Sequence, residues 1–205
     1  WVGDLVTPVW WDDLWLNESF AQWSGFKIAD QWRPDFGART SLTADALAAM
    51  NVDSQRAGRP IRESIDDNTR IASAFDSITY QKGAGVLAMF ESYLGEEVFQ
   101  RGVQQHLQAH RHANATAQDF YGALAKAAGQ PVIVDAFRTF VEQAGVPLVS
   151  VNTSADGRKL ELAQARYRPL GSTIPPGGEW KIPFCAAFFG AGKPQKRCTL
   201  ITGPS

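Results

Sequence analysis

Trp10-Trp11-Asp12-Asp13-Leu14-Trp15-Leu16-Asn17-Glu18-Ser19-Phe20-Ala21 is the stretch whose reading decides the fold. Asp12 or Asp13 suits the N-cap of a helix that runs through Leu14, Glu18, Ala21, Trp23 and Phe26 to about Gln31. Glu18 is the residue to explain, because Trp15, Leu16, Phe20 and Trp23 surround it with apolar side chains. Burying an unpaired carboxylate costs several kcal/mol. Glu18 is therefore on the solvated side of an amphipathic helix, paired with a base, or bound to a metal. Trp10, Trp11 and Trp15 could line a cleft, with apolar packing as the default for such side chains.

Working outward, Arg33-Pro34-Asp35-Phe36-Gly37 breaks this helix. A second is expected from Thr40 to about Met50, with Leu42, Ala46, Leu47 and Met50 on one side. Asn51 to Arg70, rich in Arg, Asp, Gly and Pro, reads as a long surface loop, of the kind that is usually functional or mobile. Ile71 to Leu94 reads as one helix packing through Phe75, Ile78, Val86, Leu87, Phe90 and Tyr93, closed by Gly95. Glu96 to about Arg111 follows, opened by acidic residues that suit the positive helix terminus. Thr116-Ala117-Gln118-Asp119 approximates a capping box for a helix to about Ala128, with Gly129 beyond its end. Pro131 opens a last helix through Val134, Phe137, Phe140 and Val141, which Gly145 stops.

At Gly145-Val146-Pro147 the texture changes to strands. Leu148–Asn152, Leu160–Tyr167, Ile182–Phe189 and Cys198–Ile201 have strand character, and Asp156-Gly157 is a hairpin turn signal. A domain boundary is placed at residue 146. Cys185 and Cys198 are the only cysteines and lack the spacing of a zinc pair. A hairpin turning through Gly190–Gln195, with Phe189 opposite Pro194, sets Cys185 against Cys198 on one sheet face. Two free thiols and a disulfide both fit that arrangement. A bridge would imply an oxidising, extracytoplasmic compartment.

The 205 residues suffice for one large domain or two small ones. Twenty basic and 21 acidic residues leave a net charge of -1, which argues against nucleic acid or an anionic membrane as partner. No apolar run is long enough to span a bilayer, and the first residues lack the character of a signal peptide. His106 and His110 have the i, i+4 spacing of a zinc pair, but Leu107 stands where a zinc protease needs its Glu base. Gln104, Gln105, Gln108 and Arg111 around them read as a solvated face, and His112 reads as loop. Gly83-Ala84-Gly85 matches no nucleotide fingerprint; small residues near Tyr80 suit close helix packing or room near a substrate.

A second landmark is Phe75-Asp76-Ser77-Ile78-Thr79-Tyr80-Gln81-Lys82-Gly83-Ala84. Together with Trp1-Val2-Gly3-Asp4-Leu5-Val6-Thr7-Pro8 and Trp10 to Glu18, it closely resembles the zinc aminopeptidases of the aminopeptidase N type, a gluzincin family that also contains the leukotriene hydrolases. In that family an HExxH helix supplies two His ligands and the general base, and a later Glu supplies the third ligand. By the family spacing the second His falls two positions before Trp1, so the chain is expected to begin just after that motif. The resemblance makes Glu18 the third Zn2+ ligand. It makes Tyr80 the catalytic hydrogen-bond donor to the tetrahedral intermediate, a role suited to a phenol with an ordinary pKa near ~10.

The expectation is thus a mainly α chain, the C-terminal part of a thermolysin-like catalytic domain over residues 1–146. A small, incomplete β-sandwich is expected to follow over 147–205. The activity implied is zinc-dependent removal of N-terminal residues from peptide substrates by the full-length protein, with upstream and downstream polypeptide as the other partners. This chain alone, lacking HExxH, is expected to be inactive and to hold no Zn2+. A non-enzymatic scaffold on the same fold, for protein interaction, is the alternative, and an epoxide hydrolase is a third reading.

Overall fold

The structure, a computed structural model, describes residues 2–156, 158–189 and 193–203. Its helical part comprises α1 (Leu14–Trp32), α2 (Ala38–Asp53), α3 (Gly83–Leu94), α4 (Glu96–Ala109), α5 (Ala117–Ala128) and α6 (Val132–Val141). Three short sheets accompany it. In the first, β1 (Val6–Pro8) and β2 (Ala113–Ala115) pair in parallel. The others are the antiparallel hairpins β3 (Pro147–Thr153) with β4 (Leu160–Arg166), and β5 (Ile182–Phe188) with β6 (Gln195–Ile201).

One apolar core runs through the helices, and its centre is aromatic. Phe90 stacks on Phe137 at 3.7 Å and Phe137 on Tyr121 at 4.9 Å, between α3, α5 and α6. Trp23 of α1 packs against Phe99 of α4 at 5.2 Å. Trp180, Ile182 and Ile201 join the same cluster, so apolar packing continues from the helices into the second hairpin. Gln164 of β4 crosses between hairpins, donating to the carbonyls of Trp180 and Gly203 at 2.8 and 2.9 Å. The α4–α5 contact is close because Gly102 faces Leu124 without a side chain; a Cβ there would lie 2.9 Å from the Leu124 Cα.

Several helix signals in the sequence are met. Thr116 and Asp119 form the reciprocal capping box of α5, and Gly129 ends that helix in the left-handed region at φ 65°. Pro131 stands at the start of α6. The register of β5 and β6 places Cys185 opposite Cys198, and the two are bridged. The Gly190–Gly192 part of the intervening turn, and Gly157 of the first hairpin turn, lie outside the described residues.

Other expectations need correction. Asp13 stands at the N-cap of α1 as expected, but its side chain makes no capping bond there. Asp12 accepts from the backbone N–H of Ile65 at 2.7 Å. Asp13, buried, accepts from Arg62 Nε at 2.7 Å and from the N–H of Ala117 at 3.0 Å. Both carboxylates tie the Asn51–Arg70 segment and the start of α5 to the beginning of α1. That segment is no surface strap, because Ile61 and Ile65 are buried. Leu47 does not share the buried side of α2, being 61% exposed, and Ala49 takes the inward position.

The helix expected over Ile71–Leu94 is three pieces: a 3-10 stretch over Asn68–Ala74, a break, and a π-helical turn over Ile78–Lys82 leading into α3. Phe75 falls in the break and is 45% exposed. Asp76 makes the break, turning its carboxylate onto the N–H groups of Ile78 and Thr79 at 2.9 and 3.1 Å. The face holding His106 is not solvated either. His106 is 2% exposed and packs edge-on to Phe120 at 5.4 Å.

Candidate functional site

Glu18 lies on the second turn of α1, half-buried above the buried Trp15 and Leu16. Asn17 Nδ2 donates to its Oε1 at 3.1 Å. Tyr80 lies in the π-helical turn, also half-buried. The two residues singled out in the sequence are neighbours here. Burial, then the nearby Glu18 carboxylate with its negative charge, raise the Tyr80 pKa above its ordinary value of 10.0. A phenol raised in this way remains protonated at neutral pH, the form that donates a hydrogen bond.

The turn under Tyr80 is held by residues that the sequence reading passed over. Arg59 makes a two-pronged contact with Asp76, Nη2 to Oδ1 at 2.6 Å and Nε to Oδ2 at 3.1 Å, and reaches Thr79 Oγ1 at 2.8 Å. Lys82 forms an ion pair with Asp53 in which the side chains are 2% and 0% exposed. Lys82 also donates to the carbonyl of Gly145 at 3.2 Å, and the Gly145 N–H donates to Asp53 at 2.9 Å. Burial pushes the Lys82 ammonium below its ordinary pKa, with the Asp53 charge opposing that shift. Ser19 Oγ, wholly buried beside Glu18, donates to the Thr79 carbonyl at 2.6 Å. Gly83 permits this close approach, as the reading of Gly83-Ala84-Gly85 as small packing residues expects: a Cβ there would lie 1.9 Å from Ser19 Oγ.

Two concavities border these elements. A pocket of about 260 Å³ is lined by Gly3, Pro8, Val9, Trp10, Trp11 and Asn17, next to Glu18 in sequence. Trp10 and Trp11 thus line a recess, while Trp15 is core. A larger groove of about 670 Å³ lies further along α1, between α2 and α3, and is lined by neither Glu18 nor Tyr80. Glu18, the sequence-predicted metal ligand, thus lies at the N-terminal end of α1, beside the smaller pocket and away from the larger groove.

As a donor set the site offers a metal one carboxylate. Among the described residues no group of three or more His, Cys, Asp or Glu side chains is placed to hold a metal ion. Glu18 fits one oxygen ligand of such an ion. A catalytic zinc requires three protein ligands.

Residues 1–140 match the Peptidase family M1 domain model. Aminopeptidase M1 of Arabidopsis thaliana is 37% identical over 183 residues, covering 89% of this chain and 20% of that protein. Probable aminopeptidase 2 of Sulfurisphaera tokodaii is 40% identical over 174 residues, 84% of this chain and 22% of that protein. Aminopeptidase M1-C of Oryza sativa subsp. japonica is 34% identical over 200 residues, 98% of this chain and 22% of that protein. The chain therefore spans about a fifth of the length of these curated relatives.

Proposed function

The chain belongs to peptidase family M1, and from that premise we propose that the full-length protein is a zinc-dependent aminopeptidase acting on peptide substrates. The observation that carries this reading is the adjacency of Glu18 and Tyr80 within the stretch that matches the family domain, residues 1–140. Glu18 would be one ligand of the zinc, and the remaining ligands and the general base would come from outside these 205 residues. Zinc, when bound, polarises a carbonyl and lowers the pKa of water. Tyr80 would donate its hydroxyl proton in a hydrogen bond to the oxyanion that develops as the first peptide carbonyl is attacked. Asn17, donating to Glu18 Oε1, would orient the carboxylate.

In the full-length protein, Tyr80→Phe is expected to lower kcat on an aminoacyl-anilide substrate by about 10²-fold with little change in KM, because the bond acts on the transition state. Glu18→Ala is expected to lose zinc and activity together. Full activity in Tyr80→Phe would overturn the role given to the phenol. A wild-type protein that turns over no peptide would favour a scaffold. The 205-residue chain alone is proposed to be inactive, binding far less than one equivalent of zinc.

We further propose that residues 147–205 form a small β-sandwich that follows the catalytic part and packs against it through Trp180, Ile182 and Ile201. The Gln164 bonds to Trp180 and Gly203, which tie the hairpins together, support this. The Cys185–Cys198 bridge supports an extracytoplasmic location. No helix among the described residues is long and apolar enough to cross a membrane.

A further inference from the structure

Ser19 and Thr79 each adjoin, in sequence, one of the two residues assigned to the site. Both are buried, and the Ser19 hydroxyl donates to the Thr79 carbonyl at 2.6 Å. That carbonyl is open to a side chain because the turn is widened. The N–H of Gly83, which in an α-helix would bond Thr79, reaches back to Ile78. Gly83 also allows the approach sterically: a Cβ there would lie 1.9 Å from Ser19 Oγ and 2.9 Å from Ser19 Cβ. Ser19 is thus enclosed between a carbonyl it satisfies and a glycine that admits it.

We propose that Ser19 is a positioning residue, whose bond to Thr79 fixes α1 against the Tyr80 turn and so sets the Tyr80 hydroxyl relative to Glu18. The proposal rests on the reading of Tyr80 as oxyanion donor. Hydrogen-bond donation to a transition state falls steeply with misplacement, and a displacement of about 1 Å can cost about 10²-fold in rate. Arg59 and Lys82 hold the turn from its other sides, against Asp76, Asp53 and Gly145, so loss of the Ser19 bond should loosen the turn without unfolding it. The expected loss is therefore smaller, about 10-fold.

The test uses the full-length, zinc-loaded protein. Ser19→Ala is expected to lower kcat about 10-fold with KM within about twofold. Affinity for a phosphinic dipeptide that mimics the tetrahedral intermediate should weaken by a similar factor, while affinity for the free amino acid product holds. A 3-fluorotyrosine placed at position 80 should show a displaced or broadened fluorine resonance in the Ser19→Ala background. Should Ser19→Ala fold poorly, the exchange Ser19→Gly with Gly83→Ala returns the lost carbon from the other side of the contact without the hydroxyl. It should show the same kinetic loss, and full recovery there would overturn the role of the hydrogen bond. Unchanged kcat and an unmoved fluorine resonance in Ser19→Ala would overturn the proposal. If Tyr80→Phe retains full activity, the oxyanion reading fails, and the fluorine resonance still reports whether Ser19 positions residue 80.

Discussion

Replacing Lys82 by Met should be among the most damaging single changes available beneath the site. The pair with Asp53 is sealed, with side-chain exposures of 2% and 0%. It joins three parts of the chain: the end of α2, the Tyr80 turn, and Gly145 beyond α6. Methionine fills most of the lysine's volume, so the loss is chiefly electrostatic. Asp53 would keep a buried charge with the Gly145 N–H as its remaining partner, since its Oδ1 already has none. Removing one member of a buried pair costs about 3–5 kcal/mol. Replacing both members removes the stranded charge, so Lys82→Met with Asp53→Leu should cost less than the two single changes added together. What remains is the unpaired backbone of Gly145, at about 1–3 kcal/mol for each unsatisfied group. Denaturant unfolding of the 205-residue chain and its three variants gives the coupling directly. Arg33→Ala, which breaks an exposed pair with Asp35, serves as the control and should leave the midpoint in place. A Lys82→Met loss below about 1 kcal/mol, the range of exposed pairs, would show that the charges are not sealed together and refute the reasoning.

His106 should give the stability a pH dependence: burial, then the neighbouring charge of His110, lower its pKa from 6.5 to about 4, against Asp119. Between those values the unfolded chain binds a proton that the folded chain does not. Stability is therefore full above pH 6.5 and falls as pH drops towards about 4, by roughly 3 kcal/mol at ~1.36 kcal/mol per unit; an unchanged slope in His106→Phe would show that another group is responsible. Gly102→Ala should separate α4 from α5, because its Cβ would meet Leu124 atoms at 2.7 and 2.9 Å. About 1–3 kcal/mol is expected for such overpacking, and an unshifted thermal midpoint would contradict the contact. The bridge closes a loop between cysteines 13 residues apart, so Cys185→Ser should cost about 3 kcal/mol on chain-entropy grounds. Thiol titration of the unfolded, unreduced protein checks the bridge itself, and two free thiols would remove the support for an extracytoplasmic location.

How far the sequence could be read depended on whether a feature is local. The capping box Thr116–Asp119 and the stop at Gly129 are chemistry of a few adjacent residues, and they stand where the sequence puts them. The cysteine register followed from the two-residue period of strands and the hairpin it implies. The π-helical turn was not legible, because Ile78, Val86, Leu87 and Phe90 keep an apolar spacing that an unbroken helix also satisfies. The parallel pairing of β1 with β2 joins three-residue segments far apart in the chain, too short to show any period. Lys82 and Asp53 are ordinary surface residue types until burial and each other's charge make them a buried pair.

The same division explains why Glu18 and Tyr80 could be named before their supports. Glu18 stood out because a carboxylate among tryptophans demands a reason, and Tyr80 because of the motif around it. Ser19, Arg59 and Asp76 raise no such question from sequence, since serine beside a helix face and a charged pair in a loop have many ordinary uses. Their geometry gives them a shared one. Arg59 and Asp76 fix the start of the Tyr80 turn, and Ser19 fixes its middle against α1. The signal the sequence did offer is Gly83, read with Ala84 and Gly85 as small residues that allow close packing near Tyr80. A glycine inside an apolar helical run carries a cost of about 1 kcal/mol relative to alanine, and here that cost is offset by the close approach of Ser19, which any larger residue would prevent.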